Sequence, residues 1–491
     1  MKSSILAWVV FTTLVVFFSA CHDLSSSEEA RVEKKAAAEE PVPEVTEGPR
    51  EAAEKNKANV TAGPCEEGHR GRVLVIGADG LDLKVIDELA AAGELPNLLE
   101  LLEKGAHGVM VSEREMRSPA LWTTMATGRP RSVHGIYDFV TGSRLWPKKL
   151  RDTERRLVTS GMRRVPAIWN IASDKGLEVG VVGWLNTWPA EEVKGIMVAP
   201  VVALGSSKQV TIKGAVYPDE IDQVYPAERW KEIRSLIVTA EDVDDELAAE
   251  FADKAGSDLL GLYPILRRYE HGLRWSLAHT LSMRNITLHI IEKDKPDLTM
   301  VYFEGSDSLA HRYWLFRQPR NEIIAQLREA DLPTEGADEL ARKYGKVVEQ
   351  YYMLLDEVIG ELVDAFGENG QIIIMSDHGF GKRTGRFPVN KSVPFSGQHR
   401  IEGTIIAAGE GVAEGERVYG ATQYDVTPTL LELLGIESDM YLEGSSLVDQ
   451  IIECDDGVEE EEEEAKIEDP GVEVPYSEEE LERLRSLGYV E

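Results

Sequence analysis

The chain has 491 residues, and its apolar fraction of 43% is ordinary for a globular protein with a sizeable core. The formal net charge of -34 at pH 7 is extreme, and a field of that sign repels nucleic acid and anionic membrane surfaces. We therefore expect no nucleic-acid binding, and any anionic substrate would need bound cations that invert the sign locally.

Residues 1–21 are predicted to form a lipoprotein signal peptide, because a positive charge precedes an apolar stretch at 5–18 that is too short for a comfortable membrane span. Phe18-Ser-Ala-Cys21 is similar to a bacterial lipobox, although Phe18 replaces the usual Leu, and this similarity implies that Cys21 is lipidated. A simple cleaved signal and an uncleaved anchor are the alternatives. His22 follows the Cys where an Asp would indicate inner-membrane retention, which favours the outer membrane of a bacterial cell envelope.

The two ends of the chain have compositions that cannot form a core. Residues 22–70 are rich in Glu, Ala, Lys and Pro, which predicts a disordered tether. Residues 451–491 form an acidic tail, with a short amphipathic helix predicted over 476–489. Cys65 and Cys454 flank the intervening domain, and either a disulfide or two free thiols would agree with the sequence.

Residues 71–450 alternate between strand and helix patterns, which predicts an α/β fold with a doubly wound, mostly parallel sheet and helices on both faces. The apolar runs have no polar interior, as is typical of central parallel strands. The predicted strands are 72–77, 179–184, 298–303, 371–375 and 404–408. The predicted helices are 83–102 with an interruption at 93–96, 337–366, and 425–434. Residues 200–295 break the alternation and are predicted to form an inserted cap.

Candidate ligand residues follow the predicted strands, at the edge where an open α/β sheet collects ligands. Asp79 lies just past the first strand in a Gly-Ala-Asp-Gly-Leu turn. Asp307 and His311 follow the strand at 298–303, and one helical turn would bring both side chains to the same face. Taken alone, each is more often a turn or structural residue than a metal ligand.

Two further candidates follow the strand at 371–375. Asp377 and His378 are adjacent in a Ser-Asp-His-Gly turn, so they can point at two neighbouring metal ions. His399 lies in a polar loop just before the strand at 404–408. The joint occurrence of these side chains favours a metal centre more than any one of them does.

Ser118-Pro119 marks the start of a helix, with Ser at the N-cap and Pro at the first helical position. The simple interpretation is a helix cap. The functional interpretation is a nucleophile, because a helix N-terminus binds phosphate and lowers the pKa of an attacking group.

The motifs stand in the order found in one enzyme superfamily: 77–81, 118–128 with 134–136, 307–311, 376–379 and 397–399. Over roughly residues 70–450 the chain resembles the alkaline phosphatase superfamily, nearest to its type I phosphodiesterase/nucleotide pyrophosphatase branch. The resemblance implies an alkaline-phosphatase-like fold and a phosphoric ester hydrolase with two divalent metal ions. Three imidazoles favour zinc, and the carboxylates leave manganese open.

The resemblance also implies a role for each residue. Ser118 would be the nucleophile of a two-step displacement, would contact one metal ion and would carry a phosphoseryl intermediate. Asp79 and His378, with Asp377 beside them, would bind that ion. The other ion would be bound by Asp307, His311 and His399. Which ion Asp377 and His378 serve is left open.

The chain departs from the branch beside the nucleophile. Nucleotide pyrophosphatases usually have Thr there, with Asn three residues later, whereas this chain has Ser118 and Leu121. Nucleotide diesters are therefore in doubt as substrates. Trp122, Lys391 and Arg400 are weaker candidates for substrate binding; core packing is the alternative for Trp122, and no specific role is the alternative for the two cations.

We therefore expect a phosphodiesterase-like enzyme that acts on a small-molecule or lipid phosphate ester. A phosphomonoesterase, a phosphonate hydrolase and a phosphoglycerol-type transferase would share the same residues. A sulfatase fits poorly, because Pro119 and Trp122 do not match its nucleophile motif. A non-catalytic surface lipoprotein on this fold, or a scaffolding lipoprotein whose acidic tails bind a basic partner, is the alternative of a different class.

Overall fold

The computed structural model describes residues 71–142, 147, 156–200, 222–385 and 387–453. The predictions for the signal peptide with Cys21, the tether, Cys65, Cys454 and the helix at 476–489 lie outside the described residues. Among the helices of the described residues, none combines the length and the apolar character needed to cross a membrane.

A nine-stranded sheet forms the centre of the fold, and a two-stranded ribbon lies beside it. The strands are β1 (Arg72–Ala78), β2 (Ala106–Val111), β3 (Val179–Val182), β4 (Gly195–Val198), β5 (Val224–Tyr225), β6 (Leu298–Phe303), β7 (Gly370–Met375), β8 (Gly379–Gly381), β9 (Gln398–Arg400), β10 (Glu402–Gly409) and β11 (Arg417–Val418). The order in the sheet is β11-β2-β10-β7-β1-β6-β3-β4-β5, and β8 pairs with β9 in the ribbon. Strands β7, β1, β6, β3 and β4 run parallel.

The helices are α1 (Leu83–Ala91), α2 (Pro96–Glu103), α3 (Ser118–Thr127), α4 (Arg131–His134), α5 (Ile168–Asp174), α6 (Trp230–Arg234), α7 (Asp245–Phe251), α8 (Ser257–Leu262), α9 (Leu266–Asp294), α10 (Gly305–Tyr313), α11 (Arg320–Glu329), α12 (Ala337–Tyr344), α13 (Val347–Phe366), α14 (Val426–Leu433) and α15 (Val448–Ile451). Short 3₁₀ turns lie at Ser160–Met162, Ala227–Arg229 and Trp314–Arg317.

Helices cover both faces of the sheet, as the alternation along the chain predicts. Leu74 and Ile76 of β1 belong to one hydrophobic core, which they share with α9 and α13. Val73 and Val75 belong to the core on the opposite face, which they share with α3, α5 and α14. Successive side chains of a strand point to opposite faces, so a wholly apolar β1 can fill both cores.

The strand at 404–408 forms as part of β10, but it is antiparallel to β7 and β2 and not parallel as its apolar run suggested. The physical reason is the connection from β7. The segment between Met375 and Glu402 forms the β8–β9 ribbon and has no described helix that would carry the chain back across the sheet, so β10 begins at the edge where β7 ends.

The predicted helix at 337–366 is also corrected, because it is two helices, α12 and α13, that break at Gly345 and Lys346. A Cβ on Gly345 would lie 3.0 Å from the carbonyl of Phe316 in a distant segment, which is a tight contact. A close approach of this kind depends on tertiary packing, which the local pattern does not encode.

The range 200–295, predicted to be a cap, contains the long helix α9. This helix packs against β6, β3 and α13, so it belongs to the layer that covers the sheet. Residues 201–221 of the range lie outside the described part of the chain.

Candidate active site

Three carboxylates meet at one edge of the sheet. Asp79 follows β1, Asp307 lies in the first turn of α10 after β6, and Asp377 follows β7. Strand β1 lies between β6 and β7 with all three parallel, so their carboxyl ends arrive together. All three side chains are fully buried.

The imidazole of His378 lies among these carboxylates. Its Nε2 is 3.4 Å from Asp79 Oδ1, 3.5 Å from Asp377 Oδ2 and 3.8 Å from Asp307 Oδ1. Its Nδ1 lies 3.1 Å from the Gly379 carbonyl. A carbonyl can only accept, so we assign the proton to Nδ1, which leaves the Nε2 lone pair facing the carboxylates.

Two more imidazoles complete the cluster on the side of Asp307. His399 Nε2 lies 3.0 Å and His311 Nε2 lies 3.3 Å from Asp307 Oδ1. His311 Nδ1 lies 2.9 Å from Ser396 Oγ, which itself donates to the Gly397 carbonyl, so we assign the His311 proton to Nδ1. The helical spacing of Asp307 and His311 brings both side chains to one point, as the sequence predicts.

His399 is held in its neutral form. Burial lowers the pKa of His399 well below its usual value, and the neighbouring His378 lowers it further. The two rings stack with centroids 3.8 Å apart. A neutral imidazole is the form that can bind a metal ion, and its close contact with Asp307 is not an ion pair.

The ligand atoms form two compact groups that share one residue: Asp79, Asp377 and His378 in the first, and Asp307, His378 and His399 in the second. Three buried carboxylates at one point would repel one another strongly without a compensating cation. Carboxylate oxygens mixed with neutral imidazoles are a donor set that suits a divalent transition metal ion. The residues present therefore fit a metal centre.

Asp79 has supporting partners that the motif does not include. The Tyr302 hydroxyl donates to Asp79 Oδ2 at 2.6 Å, and the Ser306 hydroxyl donates to the Asp79 carbonyl at 2.6 Å. Burial, and then the charge of Asp79, raises the pKa of Tyr302 well above its usual value, so Tyr302 keeps its proton and remains a donor. A hydroxyl near the end of an otherwise apolar strand was the only sequence signal for Tyr302.

The turn after Asp79 needs a glycine. Gly80 has φ of +69°, and a Cβ there would lie 3.0 Å from the Asp307 Cβ. Its amide donates to Asp377 Oδ1 at 3.2 Å. The glycine therefore lets the turn approach the other two carboxylates.

Ser118 is the first residue of α3, and Arg117 with extended backbone takes the cap position. The predicted N-cap role of Ser118 was thus wrong by one residue, because the helix starts earlier than the Ser-Pro pattern suggests. The side chain of Ser118 is only 3% exposed. One turn later Trp122 packs over Gly77, where a Cβ would lie 2.5 Å from the ring, which brings α3 beside the same edge of the sheet.

Asn186 supports the first turn of α3 and was missed by sequence reasoning. Its Nδ2 donates to the Pro119 carbonyl at 2.9 Å and to Thr123 Oγ1 at 3.0 Å. The Asn186 backbone is left-handed, with φ of 64°. Its position after β3, at the ligand edge of the sheet, was the available signal.

The weaker candidates for substrate binding are occupied by other contacts. Trp122 is fully buried and packs edge-on to Trp184 and Tyr302, so it has no surface for a substrate and the packing alternative accounts for it. Lys391 forms an exposed ion pair with Asp331 at 2.6 Å. Arg400 pairs with Asp82 at 3.0 Å.

The family model for type I phosphodiesterase/nucleotide pyrophosphatase matches residues 73–428. A choline-sulfatase of Rhizobium meliloti (strain 1021) is 36% identical over 107 residues, which are 20% of this chain and 20% of that protein. The chain therefore aligns with about a fifth of the length of this curated relative.

Two solved structures are similar to this chain at low identity. Phosphonoacetate hydrolase from Sinorhizobium meliloti 1021, in complex with phosphonoacetate, is 18% identical with a TM-score of 0.35, and the alignment covers 64% of this chain and 58% of that one. Murine ectonucleotide pyrophosphatase/phosphodiesterase 5, as an inactive variant in complex with AMP, is 12% identical with a TM-score of 0.44, and the alignment covers 78% of this chain and 100% of that one.

Proposed function

The chain belongs to the type I phosphodiesterase/nucleotide pyrophosphatase family, and on that premise we propose that it is a metal-dependent phosphodiesterase with Ser118 as its nucleophile. Family membership makes the protein a hydrolase of phosphoesters or related esters. The observation that supports a metal-dependent phosphodiesterase is a cluster of ionisable side chains. Three carboxylates lie after β1, β6 and β7, and three imidazoles lie beside them.

We propose that the cluster holds two divalent ions, zinc in the first instance and manganese as the alternative. Asp79, Asp377 and His378 would hold one ion, and Asp307, His311 and His399 would hold the other. His378 belongs to both compact groups, so either of the two ions could be the one that it binds. When bound, such ions supply positive charge that stabilises the attacking and leaving oxygens of a phosphoryl group.

Ser118 is suited to attack because it opens a buried helix. In the first step its oxygen bonds to phosphorus as the bond to the leaving oxygen breaks, and the serine proton leaves with the departing alcohol. In the second step water hydrolyses the phosphoserine ester, releases the phosphomonoester and returns a proton to Ser118.

The substrate we propose is a small-molecule or lipid phosphate ester. Leu121 is fully buried and has no side-chain amide that could donate to a non-bridging oxygen, so a nucleotide diester remains the less favoured substrate. A phosphomonoester, a phosphonate and phosphoglycerol transfer would use the same residues, and these chemistries are the alternatives for the test.

The test compares hydrolysis of an aryl phosphodiester and an aryl phosphomonoester by the purified full chain, with zinc and with a chelator. We expect zinc-dependent hydrolysis with the diester preferred. A preference for the monoester would assign the enzyme to phosphatase chemistry. An absence of turnover on both esters, with metal bound, would contradict the proposal.

We also propose that the protein is anchored in the bacterial envelope through lipid on Cys21. The proposal is supported by the lipobox-like sequence alone. Cys21→Ser should move the protein from the membrane fraction to the soluble fraction of cells. Continued membrane association would favour an uncleaved N-terminal helix.

A further inference from the structure

Asp82, three residues after Asp79, is a buried carboxylate that no motif includes. It caps α1 by accepting from the Lys84 amide at 3.0 Å. Its carboxylate also accepts from the Phe380 amide at 2.9 Å and from the Arg400 guanidinium at 3.0 and 3.2 Å. The Asp82 side chain therefore connects the turn of Asp79 to Phe380 and to Arg400.

Both of these partners lie on the β8–β9 ribbon. Phe380 pairs with His399 in the ribbon, and Gly379 pairs with Arg400. The ribbon follows directly from His378 and carries His399. The Asp82 carboxylate therefore holds the segment from which two of the imidazole ligands project.

The contact is close because of a glycine. A Cβ on Gly379 would clash with Asp82 Oδ2, so only glycine lets the ribbon lie against the carboxylate. Tyr352 also fixes the position of Asp82, because its hydroxyl accepts a hydrogen bond from the Asp82 backbone amide at 2.9 Å. Glu402 also faces the guanidinium, at 3.4 Å from Arg400 Nε, but Glu402 is half exposed whereas Asp82 is buried.

We propose that Asp82 and Arg400 form a positioning pair that fixes His378 and His399 relative to Asp79 and so sets the affinity of the metal centre. This inference rests on the proposed function. It replaces the predicted role of Arg400 in substrate binding, because the guanidinium is already held by a buried carboxylate next to a ligand. Partners that orient metal ligands in this way commonly contribute 10- to 100-fold in metal affinity, as a general order of magnitude.

The test uses Asp82→Asn and Arg400→Met in the full chain. Asn is as good a helix cap as Asp, so Asp82→Asn removes the charge while α1 keeps its cap. Met keeps the apolar stem of Arg400 and removes its charge. Lys104→Met, which breaks an exposed ion pair with Glu100 at 2.6 Å, is the control for the loss of a cation.

Zinc affinity is measured by competition with a chelator, and unfolding of the metal-free proteins is measured in parallel. We expect about 10-fold weaker zinc binding in each variant, little further loss in the double variant, and partial recovery in Arg400→Lys. The KM for an aryl phosphodiester should stay unchanged at saturating zinc.

An Arg400→Met variant with wild-type zinc affinity and a raised KM would overturn the proposal and restore a substrate role for Arg400. A wild-type chain that binds no divalent ion would overturn it too. If the wild type binds zinc but hydrolyses no phosphate ester, the proposed function fails while the zinc affinities still decide the role of the pair.

Discussion

His311 and His399 stand 88 residues apart in the chain and point their Nε2 atoms at each other across 2.8 Å. His311 Nδ1 donates to Ser396 Oγ, so the Nε2 lone pair of His311 faces His399, whose ring is kept neutral by burial. A proton or a cation between the two nitrogens would stabilise this contact. We propose that a metal ion bound by both imidazoles and by Asp307 takes this place.

Asp307→Asn should lower the metal content of the protein by about one equivalent. Its Oδ1 is the oxygen nearest to both Nε2 atoms, and the amide keeps the shape while it removes the charge that binds a cation. Elemental analysis after dialysis measures the content. Asp338→Asn, at an exposed ion pair with Arg320, is the matched control. An unchanged metal count in Asp307→Asn would refute the assignment.

Tyr302→Phe should weaken metal binding about 10-fold, because Asp79 loses the hydroxyl that orients it. The loss of this buried hydrogen bond should also lower the free energy of unfolding by about 1 kcal/mol. Isothermal titration and urea unfolding measure the two effects. Tyr269→Phe is the control, since the buried Tyr269 hydroxyl has no hydrogen-bond partner among the described residues. Equal metal affinity in Tyr302→Phe and wild type would exclude a supporting role.

Asn186→Gly should lower kcat about 10-fold at unchanged metal content, since α3 loses the amide that holds its first turn and Ser118 is less well placed. Glycine accepts the left-handed backbone, so this variant isolates the loss of the amide. Asn186→Ala should lose the same activity and additionally about 1 kcal/mol of stability, because alanine is strained at positive φ. Steady-state kinetics and urea unfolding distinguish the two. Full activity in Asn186→Gly would exclude a positioning role.

His279→Leu should make the protein less sensitive to acid. Burial lowers the pKa of His279 to about 3, so the folded protein holds the ring neutral while the unfolded chain protonates it below its ordinary value of 6.5. The contribution of His279 to the free energy of unfolding is therefore complete above pH 6.5 and is lost as the pH falls from 6.5 towards 3. Urea unfolding at pH 7.5 and pH 4.5 in a chelator should show a smaller decrease in the variant. An identical decrease would contradict the neutral buried state.

The central strands and the positions of the candidate ligand residues could be predicted from the sequence because their signals are local. Strands β1, β6 and β7 are uninterrupted apolar runs, and Asp79, Asp307 and Asp377 follow them directly. Their parallel pairing then requires the three carboxylates to meet at one edge.

The remaining features depend on contacts between distant segments. Tyr302 lies 223 residues from Asp79, and Arg400 lies 318 residues from Asp82, so neither contact leaves a local pattern. The break at Gly345 reflects a close approach of the Phe316 carbonyl. The antiparallel direction of β10 follows from the connection to β7, which the composition of the strand does not encode.

We propose that Ser118 is the nucleophile of a metal-dependent phosphoryl transfer. Ser118 does not cap α3, so Ser118→Ala should leave the helix and the metal centre intact. The decisive measurement compares hydrolysis of an aryl phosphodiester and the bound metal in the wild type and Ser118→Ala. We expect Ser118→Ala to lower turnover by about a thousandfold or more at unchanged metal content. Turnover close to that of the wild type at the same metal content would contradict it.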